Sequence, residues 1–164
     1  MKIISFAHTT PAMLAGHKTV TRREWDDAYG SRFRAGELVG AYNRSPRVHG
    51  WRVAVIRLTE QPRPEPLSAM PDSDYEGEGF GWMQAHPSST PKTLWGEPFD
   101  ATSLSRERFA RWQQSGETMW VVRFELVQVD AEGFAKLPAV QQVLIADTLA
   151  PAVRHLYERA AVPA

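Results

Sequence analysis

The segment Met119-Trp-Val-Val-Arg-Phe-Glu-Leu-Val-Gln-Val129 predicts the strongest strand of the chain. β-branched and aromatic residues dominate it, and such residues are enriched in strands because they pack well on a pleated surface. Shorter segments of the same kind lie at residues 2–6, 38–42 and 51–59, and the β-branched residues of 18–23 predict a further extended segment. The sequence therefore predicts about five or six short strands.

Helices are predicted between and after these strands. Thr10 is a suitable N-cap and Pro11 a suitable first helical residue. A capping serine predicts a helix over 105–114, and apolar spacing predicts one or two helices over 138–160. Short strands with interleaved helices indicate the α+β class, as a small, mostly antiparallel β-barrel with surrounding helices.

Proline marks the segments for which no complete regular element is predicted. Three prolines within 62–66 predict a linker-like stretch, and residues 86–100 are expected to be irregular. The acidic segment 71–83 between them is predicted to be helical in part.

Composition limits the function classes. The 164 residues fit one domain, and 43% hydrophobic with 23% charged residues is typical of a globular protein. Nineteen basic and nineteen acidic residues give no net charge, which argues against a protein that grips duplex DNA by bulk charge. The charge is uneven: residues 1–60 hold ten bases against five acids, and residues 61–100 hold two bases against seven acids. This asymmetry fits either a basic cleft for a nucleotide-like ligand or a solvated surface with random clustering.

Several chemistries are excluded by absent residues and motifs. The chain has no cysteine, so it cannot form a disulfide, an iron–sulfur cluster, a thiolate zinc site or a cysteine nucleophile. The five histidines show no paired ligand spacing, and no phosphate-binding glycine loop or hydrolase nucleophile elbow is present. We therefore expect no metal and no cofactor. Without a long apolar segment, we also expect no membrane association and a cytoplasmic location.

The segment Gly16-His17-Lys18-Thr19-Val20-Thr21-Arg22-Arg23 contains the spacing K-x-x-T-x-R. A predicted helix precedes it, a turn and strand at 36–39 follow it, and Glu78-Gly79-Phe80 and the strand 120–124 come later. In this order the sequence resembles the ASCH family, whose small barrel is similar to the PUA RNA-binding domain. The resemblance implies a PUA-like barrel.

The resemblance covers part of the chain only, roughly residues 2–83 and 117–129. We interpret 1–164 as a single ASCH-like domain with an insertion at about 84–116 and a C-terminal helical extension at about 131–164.

Within that family the sequence is similar to bacterial amidohydrolases that remove acyl groups from the N4 amine of cytidine. Their lysine and threonine correspond to Lys18 and Thr21, their arginine to Arg23, and their glutamate to Glu78, although Glu76 is an alternative acid. The resemblance thus implies Lys18, Thr21 and Glu78 as catalytic residues.

The residues themselves fit amide hydrolysis. A threonine hydroxyl is a weak nucleophile at its free pKa, and a neutral lysine can accept its proton when burial lowers the lysine pKa. Neighbouring arginines act in the same direction, and Glu78 is expected to hold the substrate amine. On a regular strand residues 18 and 21 face opposite ways, so the two can converge only if Lys18 lies in the turn before the strand or beside a bulge.

We expect six residues around this set to bind a nucleoside substrate: Arg22, Arg23, Glu76, Tyr75, Trp82 and Phe80. The aromatic side chains are candidates for stacking on a base, although each also suits an apolar core. The alternative function is an RNA-binding module or a ribonuclease on the same barrel. It requires an open basic groove along four arginines, Arg22, Arg44, Arg47 and Arg52.

Overall fold

The computed structural model describes residues 1–89 and 104–160 and, between these ranges, the backbone of two short strands. The described strands, in chain order, are β1 (Ile3–Ser5), β2 (Val20–Arg23), β3 (Leu38–Tyr42), β4 (Arg52–Leu58), β5 (Arg63–Pro66), β6 (Thr93–Leu94), β7 (Glu97–Pro98) and β8 (Thr118–Val129). The helices are α1 (Thr10–Leu14), α2 (Asp27–Gly30), α3 (Asp74–Gly77), α4 (Phe80–Ala85), α5 (Arg106–Gln113), α6 (Ala131–Ala135), α7 (Ala139–Asp147) and α8 (Arg154–Arg159).

Six strands form one curled sheet in the order β1-β3-β4-β8-β2, with β5 also pairing with β8. All pairings are antiparallel except that of β1 with β3. β8 is long enough to pair with three strands. Its C-terminal part pairs with β4, and its N-terminal part lies between β2 and β5. The α+β class and the mostly antiparallel sheet are therefore confirmed, as an open half-barrel.

A side chain bridges the two ends of this half-barrel. β1 and β2 are the terminal strands of the pairing order. Arg23 at the end of β2 donates from Nη2 to the Ser5 carbonyl of β1, at 2.5 Å, and its guanidinium lies 5.7 Å from the centroid of the Phe6 ring. The Arg23 guanidinium therefore lies between the two terminal strands of the half-barrel.

The main apolar core joins residues of the sheet to residues of the helices. All five residues of α1 are buried, and Met13 and Leu14 pack with sheet residues such as Ile56 and Val122. A second, smaller apolar cluster consists of Leu67, Met70, Tyr75 and Phe109, with Phe80, Trp112 and Met119 packed against it. We call it the α5 cluster, because α5 supplies Phe109 and Trp112.

Three predictions from the sequence were wrong. The linker-like stretch at 62–66 is strand β5, whose prolines are tolerated because it lies at a sheet edge. Within the segment 86–100, β6 and β7 form a two-stranded pair, so this segment is not wholly irregular. Thr10 is the first residue of α1 and not its cap, since no side chain caps this helix.

Candidate active site

Lys18 lies in the turn between α1 and β2. Gly16 has a φ of +82°, which favours glycine, and a Cβ there would meet Val153 at 2.8 Å. β2 begins only at Val20, so Lys18 is outside the regular strand. Lys18 therefore lies in the turn before the strand, which is one of the two positions from which the sequence predicts that it can approach Thr21.

The turn after α3 is docked onto this segment. The Thr19 amide donates to the Gly77 carbonyl at 2.8 Å. Gly79 has a φ of +82°, and a Cβ at that position would lie 3.3 Å from the Lys18 Cβ. The close approach brings Glu78, between these two glycines, against the lysine.

Lys18 and Glu78 form a buried ion pair. Lys18 Nζ donates to Glu78 Oε2 at 2.7 Å and to the Glu78 carbonyl at 3.0 Å, and both residues are 3% exposed. Burial lowers the pKa of Lys18, and the charges of Arg23 and Arg22 lower it further, while the contact with Glu78 raises it. The net direction is downward, which increases the share of neutral amine near neutral pH.

Arg22 is the centre of a buried charge network. Its Nη1 donates to Glu78 Oε1 at 3.1 Å, and its Nη2 donates to Glu65 Oε1 at 2.7 Å and to Asp74 Oδ2 at 2.5 Å. Its side chain is fully buried. Because the buried guanidinium is bonded to three protein carboxylates, Arg22 positions Glu78 in this structure, whereas the sequence predicted it as a substrate-binding residue.

Each carboxylate of this network is bonded to cationic side chains. Arg123 on β8 donates to both oxygens of Asp74, at 2.9 and 3.0 Å, and Arg63 donates to the second oxygen of Glu65 at 3.0 Å. Three carboxylates thus bond four cationic side chains, of which Arg63 is the half-exposed one, and every carboxylate oxygen accepts a hydrogen bond. Pairing with opposite charges allows these carboxylates to be buried at tolerable cost. Among the described residues, the buried Nε of Arg22 has no hydrogen-bond partner. The network holds Glu78 in one orientation towards Lys18.

Thr21 lies on the opposite face of β2 from Arg22. It is 4% exposed and pairs in register with Val122, whose side chain belongs to the main core. Strand alternation puts Thr21 on the same face as Arg23. Among the described residues, no hydrogen bond involves the Thr21 hydroxyl, so this hydroxyl is not committed to a structural contact.

His8 is a site residue that sequence reasoning missed. Burial and the charges of Lys18 and Arg23 lower the pKa of His8 to about 4. The histidine is therefore neutral near neutral pH and lies within electrostatic reach of the lysine and the arginine. Its sequence position, three residues after β1, gave no signal of this.

Glu65, Asp74 and Arg123 were missed as well. The spacing of Asp74 and Glu78, four residues apart, is the one signal in the sequence that could have placed both carboxylates on one face of a helical turn. The approach of Glu65 from β5 and of Arg123 from β8 depends on the sheet topology, which the sequence pattern did not predict.

The other predicted binding residues have different surroundings. Glu76 is exposed and pairs with Arg106 at 3.0 Å, while Tyr75 and Phe80 pack in the α5 cluster. Trp82 is buried in the main core, where its ring stacks on His17 at 6.0 Å between centroids. The structure therefore assigns these four side chains to packing or to the surface, and it joins Glu78 rather than Glu76 to Lys18.

Residues 1–89 and 104–160 contain no group of three or more histidine, aspartate or glutamate side chains arranged to hold a metal ion. No helix in these ranges has the length and apolar character needed to cross a membrane.

Comparison with known proteins gives little. No family model matches the sequence, and no curated protein matches it. The crystal structure of protein EF3133 from Enterococcus faecalis V583, described with the family model DUF984, is similar over 79% of this chain and 83% of that chain. The sequence identity is 14% and the TM-score is 0.45. A likeness at this level supports no conclusion about function.

Proposed function

We propose that this protein is an amidohydrolase with a PUA-like, ASCH-type half-barrel that removes acyl groups from the N4 amine of cytidine-type nucleosides. The observation that carries the proposal is the buried Lys18–Glu78 pair at the start of β2, with the uncommitted Thr21 hydroxyl on the same strand. A buried lysine with a lowered pKa is characteristic of catalytic sites, and Thr21, three residues further along the chain, supplies a hydroxyl that can act as a nucleophile.

In the first half of the reaction, Thr21 Oγ1 attacks the acyl carbon and its proton passes to the neutral amine of Lys18. The bond from the acyl carbon to N4 then breaks, and Lys18 returns the proton to N4, which releases cytidine. In the second half, water attacks the acyl-threonine ester with Lys18 as the base. The bond from the acyl carbon to Thr21 Oγ1 then breaks, and Lys18 returns the proton that it took from water to Oγ1. The products are the carboxylic acid and the free threonine side chain.

Glu78 has a specific task in this scheme. The sequence suggested that it holds the substrate amine, but both of its carboxylate oxygens accept hydrogen bonds from Lys18 and Arg22. We therefore assign it to orienting the Lys18 amine and stabilising the ammonium that forms when Lys18 takes the proton. Each oxygen has a second lone pair, so an additional hydrogen bond from N4 is compatible with this task.

The test is to incubate the pure protein with N4-acetylcytidine and to measure the release of cytidine and acetate. Lys18→Ala and Thr21→Ala should abolish turnover, and Thr21→Ser should keep part of it because a hydroxyl remains. Lys18→Arg should be inactive, since a guanidinium stays protonated and cannot act as a base. The control is Lys136→Arg, because Lys136 also pairs with a glutamate, at 2.6 Å, but on the surface.

Full activity of Lys18→Arg would refute the role of Lys18 as a base. Absence of turnover in the wild-type protein would refute the activity itself. The alternative, an RNA-binding module or ribonuclease, is weakened by one observation: Arg22, one of the four arginines that its groove requires, is enclosed by carboxylates.

A further inference from the structure

A pocket of about 590 Å³ opens on the α5 cluster. Its volume is within the range of about 300–1,000 Å³ that small-molecule sites occupy. The described residues that line it come from α4 and from one face of α5 with its flanking residues, among them Phe80, Ser105, Arg108, Phe109, Trp112 and Ser115. None of them belongs to the set Lys18, Thr21 and Glu78, so the pocket is separate from the candidate active site.

Three aromatic side chains form the apolar wall of this pocket. Phe109 is buried, whereas Phe80 and Trp112 are half-buried. The Phe80 ring centroid lies 6.2 Å from that of Trp112 and 6.4 Å from that of Phe109, so the three rings hold one another in place. The Arg106 guanidinium stacks on Tyr75, 4.3 Å from its centroid, and among the described residues no cation lies over the Phe80 or the Trp112 ring. This wall can therefore take up the planar ring of a ligand.

Arg108 is the cation of this pocket that has no acidic partner. Arg111, which also lines the pocket, pairs with Glu107 at 2.5 Å. On the same helix, Arg106 pairs with Glu76 at 3.0 Å. The exposed Arg108 forms no ion pair within the ranges 1–89 and 104–160, and none of the described lining residues is acidic. A guanidinium presents parallel N–H groups that match the oxygens of a carboxylate or a phosphate, so the pocket favours an anionic group at this point.

A buried hydroxyl adds a polar contact. Ser115 lines the pocket, and its Oγ is buried without a hydrogen-bond partner among the described residues. A buried hydroxyl left unpaired costs free energy, which a ligand atom that bonds to it would recover. The other serine of the lining is already used, because Ser105 Oγ accepts from the Arg108 amide at 3.2 Å as the N-cap of α5.

We propose that this pocket binds a small planar aromatic compound with an anionic group, its ring against Phe80 and Trp112 and its negative charge on Arg108. A nucleotide, through its phosphate, and an aromatic carboxylic acid share this chemistry. The proposal does not depend on the proposed function, since the pocket contains none of the residues assigned to amide hydrolysis.

The experiment titrates the wild-type protein with two matched pairs of compounds. Adenosine monophosphate and adenosine test the nucleotide, and indoleacetate and indoleacetamide test the carboxylic acid. At least one of the two anionic compounds should bind at millimolar or lower concentration by calorimetry. It should also shift the NMR signal of the Trp112 indole N–H, which is identified by its loss in Trp112→Leu. The neutral member of that pair should bind about tenfold more weakly or less, because it cannot pair with the guanidinium.

The two pairs distinguish the sources of the ligand. Binding of adenosine monophosphate alone would identify the ligand class as nucleotides, and binding of indoleacetate alone as aromatic carboxylic acids. Binding of both would mean that the pocket selects for the ring and the charge only.

Two arginines of α5 provide the matched variants. Arg108→Gln should weaken the binding of the anionic compound by about tenfold and leave that of its neutral counterpart unchanged. Arg106→Gln is the control, because Arg106 is exposed on the same helix but lies over Tyr75 and is not among the residues that line the pocket. Both affinities should stay near their wild-type values in this control. Thermal unfolding checks that each variant is folded.

Three results would overturn the proposal. The first is no shift of the Trp112 signal with either anionic compound. The second is equal affinity for the charged and neutral members of both pairs. The third is wild-type affinity for the anionic compound in a folded Arg108→Gln variant.

Discussion

The two faces of the segment 74–80 have opposite environments. Asp74 and Glu78 enter the buried charge network around Arg22, whereas Tyr75 and Phe80 pack against aromatic side chains of the α5 cluster. Glu76 belongs to neither face and pairs with Arg106 at the surface. Residues that are adjacent in sequence are therefore separated by one helical turn into a charged face and an apolar face.

The two faces contribute to the stability of the fold in different ways: one through charge pairing and the other through apolar packing. On the charged face every carboxylate oxygen has a donor, so the loss of one group leaves another buried charge without a partner. On the apolar face stability depends on volume and ring contacts, because the packed rings contribute through burial and dispersion. Only the charged face touches the amine that we assign to catalysis.

The largest expected effect separates the two glutamates of this segment. Glu78→Gln should lower kcat/KM for N4-acetylcytidine by roughly 10²–10⁴, since a neutral amide cannot stabilise the Lys18 ammonium in the same way. Glu76→Gln should leave kcat/KM near the wild-type value, because Glu76 pairs with the exposed Arg106 and not with Lys18. Equal losses in the two variants would contradict the division of this segment into two faces.

The second prediction concerns stability. Arg22→Met should lower the free energy of unfolding by about 3–5 kcal/mol, because three buried carboxylates lose a shared partner. Arg106→Met, which removes the exposed partner of Glu76 and the cation that lies 4.3 Å from the centroid of the Tyr75 ring, should change it by no more than about 1 kcal/mol. Urea denaturation of both variants provides the comparison, and a small loss for Arg22→Met would mean that the network contributes little to folding.

Strands with a clear local pattern of β-branched and aromatic residues could be predicted from the sequence. β3 has the predicted bounds, β4 is one residue shorter than predicted at each end, and β8 is one residue longer at its start, because runs of β-branched and aromatic residues define these strands. β5 was missed, since its prolines indicate a linker unless the position at a sheet edge is known.

The candidate site was predictable only in part. Lys18, Thr21 and Glu78 came from a family resemblance, and the structure brings the first and the last into contact. The partners that hold them could not be inferred, because Glu65 and Arg123 reach Arg22 and Asp74 from strands far apart in sequence. Tyr75 and Phe80 carried the right chemistry for stacking on a base, but helical geometry turns them to the other face.

The third prediction is a pH dependence of stability that belongs to the charged face. Burial on its own raises the pKa of Asp74, but hydrogen bonds from Arg123 and Arg22 outweigh it and hold the pKa below its ordinary value of 3.8. The unfolded chain therefore binds a proton at higher pH than the folded chain. This stabilisation is complete above about pH 4 and is lost as the pH falls through the lower pKa of the folded state.

The measurement is the free energy of unfolding from urea titrations between pH 6 and pH 2.5. Asp74→Asn should reduce the loss of stability below pH 4 relative to the wild-type protein. The reduction should be partial, because hydrogen bonds from Gly133 and Arg52 also hold the pKa of Asp130 below its ordinary value despite burial. An unchanged acid slope in Asp74→Asn would contradict the assignment.

The smallest effect is expected on the apolar face. Tyr75 Oη donates to Gln84 Oε1 at 2.5 Å, and the ring packs against Phe109 with centroids 5.6 Å apart. Tyr75→Phe keeps the ring and removes one hydrogen bond, so the free energy of unfolding should fall by about 0.5–1.5 kcal/mol. KM and kcat for N4-acetylcytidine should not change, and neither should the slope of stability below pH 4. A rise in KM would instead show that Tyr75 contacts the base, in which case the apolar face of this segment would be part of the site.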